Sequence, residues 1–170
     1  MTEPQTLTKL IVLYMLDRVD YPITRAQIFE FILEKEYSNY FTLTQAIYEL
    51  TEDGFIESNP THSSTLLTLT EDGRNTLSFF KNRISEGIRN DITKYFEEKR
   101  MEIANDASLL TNYYRTSGGD YVADLTAREH SSDLVNIKIN MPTEESARAI
   151  CDHWKEQSSD IYSFLLEKLL

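Results

Sequence analysis

Leu43-Thr44-Gln45-Ala46-Ile47-Tyr48-Glu49-Leu50-Thr51-Glu52-Asp53-Gly54-Phe55-Ile56 leads, across a polar interval, into Thr65-Leu66-Leu67-Thr68-Leu69-Thr70-Glu71-Asp72-Gly73-Arg74. Leu43, Ala46, Ile47 and Leu50 recur at spacings of three and four, as on a helix with one buried side. Gly54 suits the left-handed position that closes such a helix. Phe55 to Ser58 and Leu66 to Leu69 then pair as strands around the loop Asn59-Pro60-Thr61-His62-Ser63-Ser64. Thr70 caps a further helix, with Glu71 and Asp72 in its first turn, where the helix dipole favours carboxylates.

Upstream, Leu7, Leu10, Ile11 and Tyr14 place a first helix over about Gln5 to Arg18. Tyr21-Pro22 ends it, because a residue before proline is pushed toward extended geometry. Thr24 and Gln27 form a capping box for a second helix, with Ile23 stapled onto Ile28. Ala26, Phe29, Ile32 and Leu33 supply its buried side. Thr42 and Gln45 repeat the box for the third helix, with Phe41 as the apolar residue before the cap. Two capped helices joined by the short segment Glu36 to Tyr40 make a helix-turn-helix. With the strand pair they make a winged helix-turn-helix, whose third helix usually enters the DNA major groove.

The segments Leu50-Thr51-Glu52-Asp53-Gly54-Phe55-Ile56 and Leu67-Thr68-Leu69-Thr70-Glu71-Asp72-Gly73-Arg74 resemble the wing of PadR-like and MarR-like bacterial regulators. The full-length layout resembles an uncharacterised Gram-positive bacterial family with an N-terminal winged helix and a small C-terminal α/β domain. The resemblance implies a transcription regulator without catalytic activity. It speaks to the fold and names neither ligand nor operator.

Charge opposes that expectation. The chain carries a net charge of −11, and residues 1–84 alone hold seven basic and twelve acidic side chains. Phosphate neutralisation normally supplies most of the affinity for DNA, yet the third helix has no lysine or arginine. Its outward positions are Thr42, Thr44, Gln45, Tyr48, Glu49 and Glu52. Gln45 is suited to adenine, Thr44 to a thymine methyl or phosphate, and Tyr48 to phosphate. Glu49 suits only a cytosine amine. Arg25 at the start of the second helix is placed for phosphate, Arg74 beyond the wing is a second candidate, and His62 stands at the wing tip. The expected DNA-contacting set is therefore Arg25, Thr42, Thr44, Gln45, Tyr48, His62 and Arg74.

Beyond Thr70, apolar residues continue at Leu77, Phe80, Ile84, Ile88, Ile92, Tyr95 and Phe96, with Ser85-Glu86-Gly87 as a break. The reading places a domain boundary there, giving 1–84 and 85–170. The second part reads as a helix to about Asn105-Asp106, strands near 109–116, 121–129 and 134–141, and a final helix opened by Thr143. Gly118-Gly119 and Ser131-Ser132 mark the turns of an antiparallel meander. Val135, Ile137, Ile139 and Met141 alternate with Asn136, Lys138 and Asn140, so one sheet face is buried. Ala147, Ile150, Cys151, Trp154, Ile161, Leu165 and Leu169 form the helix stripe, with Leu166 and Leu170 exposed beside it as a dimer surface. The fold class is α+β. Tyr113, Tyr114, Tyr121, Trp154 and Tyr162 suit a core better than a ligand cage.

No catalytic arrangement emerges. Cys151 and His153 lie two apart on one helix, so their side chains diverge. His62, His130 and His153 are scattered outside any metal-ligand spacing, and no phosphate-binding glycine loop is present. Asp124, Arg128 and Lys138 read as cross-strand charge pairs. A single cysteine fits a reducing cytoplasm, and the apolar run Leu10 to Leu16 is too short to span a membrane. The expectation is a cytoplasmic, homodimeric DNA-binding regulator that uses neither cofactor nor metal. The alternative is a protein-interaction adaptor on the same fold, its acidic third helix facing a basic partner.

Overall fold

The computed structural model describes residues 3–129 and 132–170. Its elements are α1 (Glu3–Asp17), β1 (Ile23–Thr24), α2 (Arg25–Glu34), α3 (Tyr40–Glu52), β2 (Ile56–Pro60), β3 (Thr65–Leu69) and α4 (Glu71–Phe80). A single 3-10 turn (Lys81–Arg83) precedes α5 (Glu86–Ser108), β4 (Leu109–Arg115), β5 (Tyr121–Glu129), β6 (Ser132–Met141) and α6 (Glu144–Leu169). The fold is α+β. The chain divides into two units: residues 1–60 with 64–103, and residues 61–63 with 104–170.

The first unit has the winged-helix order. Residues Thr8 to Leu16 of α1 are buried on every side of the helix, so α1 is the central element, packed against α3, α4 and strand β3. Thr24 and Gln27 form the expected reciprocal cap on α2. Thr42 does not cap α3. Asn39 does, its side-chain oxygen accepting from the Thr42 amide at 2.9 Å. The helix therefore starts at Tyr40, and Phe41 becomes a helical residue in solvent. Asn39 lies three residues ahead of Thr42, where its side-chain oxygen meets an unpaired first-turn amide.

A third strand joins the wing. Ile23, fully buried, pairs with Leu67, and Thr24 with Leu66, giving the order β1-β3-β2.

The end of α3 and the start of α4 interlock. Gly54 takes φ +75°, and Phe55 N–H returns to the Leu50 carbonyl at 2.9 Å, a Schellman closure. Thr70 donates its hydroxyl to the Gly54 carbonyl at 2.7 Å and accepts from the Gly73 amide at 3.1 Å. A Cβ on Gly73 would stand 2.0 Å from the Phe55 carbonyl oxygen.

The expected boundary at 84/85 moves to 103/104. Ser85 does restart the helix, accepting from the Ile88 amide at 3.3 Å. However, Ile92, Tyr95 and Ile103 of α5 join the N-terminal core. The Tyr95 hydroxyl donates to Glu30 at 3.1 Å, and the Tyr37 hydroxyl bonds Asp91. These contacts tie α5 to α2 and to the turn before α3.

The second unit is therefore three strands and one helix. The meander β4-β5-β6 has the register Tyr113↔Ala123↔Ile139, with a bulge between Ala127 and Arg128. Ala147, Cys151 and Trp154 of α6 cover Ala123 and Leu125 on one face, and Trp154 donates to the Thr126 carbonyl at 3.1 Å. On the open face, Asp124 pairs with Lys138 at 4.0 Å and accepts from Asn136 at 2.7 Å; Arg128 meets Asp133 at 2.8 Å. Gly119 supplies the first turn at φ +91°. Ser131, half of the second expected turn, and His130 lie outside the described residues. The α6 stripe is buried only as far as Ser158, and Leu169 is exposed rather than buried.

Replacing Gly73 by alanine forces backbone apart at the Phe55 carbonyl and should cost about 2–4 kcal/mol. Gly54→Ala meets no atom within 4 Å and should cost only the left-handed strain, about 1 kcal/mol. Urea unfolding of both variants checks the order. Burial, the Asp91 hydrogen bond and the Asp91 charge push Tyr37 up to about 12. Burial, followed by the Glu30 charge, raises Tyr95 further. Both stabilise the fold below the unfolded tyrosine pKa, and that contribution is lost as pH rises through the folded values. In a 295 nm titration these two, among ten tyrosines, should ionise last, and Tyr37→Phe should remove one late step.

Candidate nucleic-acid interface

The buried stripe Leu43, Ala46, Ile47 and Leu50 turns the opposite side of α3 outward. Gln45 and Tyr48 are exposed there, Tyr48 to 60%, and Thr42 is half-buried. Thr44 departs from expectation. Its hydroxyl oxygen is buried without a hydrogen-bond partner among the described residues. One step from Leu43 and three from Ile47, it falls at the margin of the apolar stripe rather than on the outward face.

Glu49, the expected source of repulsion, is neutralised. Lys9 of α1 forms an ion pair with it. Gln5 donates to its two oxygens at 3.0 and 3.2 Å, and Gln45 donates to Oε1 at 2.8 Å. The Lys9 hydrogen bond, then that of Gln45, hold the Glu49 carboxyl below its ordinary value. One amide hydrogen of Gln45 is thereby committed, and its direction fixed, before any ligand arrives. A lysine at position 9 faces Glu49 only through the packing of α1 on α3, which no local pattern announces.

Two exposed aromatics join this face. Phe41 is 85% exposed and Tyr40 56%. The Tyr40 ring packs edge-on to Phe29 at 5.3 Å, and the Arg25 guanidinium lies 4.4 Å from the same Phe29 ring. Arg25, at the start of α2, and Tyr40, at the start of α3, thus meet the same Phe29 ring, with the planar cation stacked on it. Reading Thr42 as the cap concealed Phe41, which in that reading was a staple.

The other cations gather elsewhere. Arg74 pairs with Asp17 at the end of α1. Lys81 lies 5.4 Å from the Tyr14 ring, and Arg83 reaches Glu3 at 3.6 Å. His62 groups with the second unit. Its amide donates to Asn112 at 3.2 Å, its ring lies 4.7 Å from Tyr113, and burial lowers its pKa. Of the seven expected contacts, Gln45 and Tyr48 are exposed on α3, Thr42 is half-buried there and Arg25 lies against Phe29. The Thr44 hydroxyl is buried, Arg74 pairs with Asp17, and His62 bonds Asn112 in the second unit.

No cluster of three or more potential metal ligands occurs among the described residues, and no described helix is long and apolar enough to cross a membrane. The Cys151 thiol is pushed up to about 11, chiefly by burial, which makes it a poor nucleophile. Residues 8–169 match the family model described as a domain of unknown function, DUF4364, and the chain belongs to that family. No curated protein and no solved structure matches the chain significantly.

A depressed carboxyl stabilises the fold above its unfolded pKa, and that contribution is lost as pH falls through the folded value. Wild type should therefore lose stability relative to Glu49→Gln below about pH 4.5. Urea midpoints between pH 7 and pH 3 measure the convergence; parallel curves would contradict the coupling.

Proposed function

We propose that the chain is a DNA-binding transcription regulator acting as a homodimer. The supporting observation is the outward face of α3, where the Gln45 amide is oriented by a Glu49 whose charge Lys9 offsets. Gln45 reads adenine through its remaining donor and its carbonyl. The Tyr48 hydroxyl and Arg25 contact phosphates, and the β2–β3 ribbon flanks the groove. So few cations give weak binding per module, so two modules are required on paired half-sites. Phe164, Leu166 and Leu169, exposed on α6, are apolar surface suited to pairing the copies.

A second reading, a protein-interaction adaptor, is favoured by Tyr40, Phe41 and Tyr48. Three exposed aromatics on a helix without cations resemble an interface core more than a phosphate-binding surface.

Enrichment of bound sequences from a random duplex library at low salt separates the two. The regulator recovers a shared motif. Gln45→Ala should weaken that motif by about tenfold and leave random duplex binding unchanged. A folded protein that enriches nothing overturns the regulator. In that event, Phe41→Ser and not Gln45→Ala should abolish capture of a protein partner.

A further inference from the structure

A cavity of about 250 Å³ opens in the first unit beside the Lys9–Glu49 pair. Leu10, Leu13, Leu50 and Phe55 wall it, three of them core leucines exposed by 4% or less. Its polar lining includes two cations, Lys9 and Arg83, and one carboxylate, Asp53. Lys9 is only 7% exposed, its stem packed in the wall and its ammonium already paired with Glu49, so an entering anion shares or displaces that carboxylate. Arg83 is half-exposed, and its ion-pair partner Glu3, at 3.6 Å, is 87% exposed, a pairing that contributes little. The guanidinium is therefore available to a ligand at no large cost.

We propose that this cavity binds a small amphipathic carboxylate, its apolar body among the leucines and its head between Arg83 and Lys9. At ~30 Å³ per water-sized group, the volume admits about eight heavy atoms. An added carboxylate competes with Glu49 for Lys9, so occupancy reaches α3 through the Glu49–Gln45 hydrogen bond. The site stands whether or not α3 meets DNA, and lies in the unit that carries α3 rather than in the sheet unit.

Hexanoate, with 1-hexanol and hexylamine as matched controls, is the probe for calorimetry on the full chain. Hexanoate should saturate near about 1 mM, the scale of so small a ligand, with both controls at least about tenfold weaker. Arg83→Gln should weaken hexanoate by about tenfold without changing the unfolding midpoint, and Thr76→Phe, on the cavity wall, should abolish binding. In a ¹H–¹⁵N spectrum the Gln45 side-chain amide should shift with hexanoate alone. Equal affinity for 1-hexanol, or an unchanged constant in Arg83→Gln, overturns the carboxylate assignment. Failure of all three probes to saturate overturns the site.

Discussion

Gly73 has no room for a side chain because the Phe55 carbonyl occupies that space, and the geometry of the first unit follows from that contact. Phe55 is where the chain leaves α3 through the Gly54 turn; Gly73 is where it enters α4. Thr70 bonds both sides of the junction. The ribbon Ile56–Pro60 and Thr65–Leu69 emerges between them, so its base cannot move independently of α3. A helix and a flanking ribbon joined this closely keep a fixed separation, because backbone atoms set it.

Charge is the second constraint. For the proposed role, an acidic chain must keep its carboxylates from dominating the outward face of α3. The Lys9 ammonium does this at Glu49 by reaching across from the buried helix α1. The same lysine walls an apolar cavity, so the central helix links interior packing to the surface of α3. Arg74, paired to Asp17, is instead used for internal cohesion.

Much of the fold was legible because its punctuation is local. The Thr24–Gln27 box, the Gly54 stop, the Thr70 and Ser85 caps and the β4-β5-β6 meander each rest on residues within a few positions of one another. What escaped depends on distant chain. Ile23–Thr24 become a strand only because β3 lies alongside. α5 joins the first unit because Ile92, Tyr95 and Ile103 enter its core and Tyr37, Glu30 and Gln27 bond its side chains. The outward face of α3 was legible at Gln45 and Tyr48, whose positions oppose the apolar stripe. Phe41 was misplaced by taking Thr42 rather than Asn39 as the cap, and Thr44 by its place at the margin of the apolar stripe, where helical spacing alone does not decide the side.

Backbone amide shifts recorded while random-sequence duplex is titrated into the ¹⁵N-labelled chain at low salt test the central claim most directly. The account requires perturbations concentrated on Tyr40 to Glu52, on the β2–β3 ribbon and at Arg25. Perturbations confined to other elements, or none from a folded protein, would contradict it.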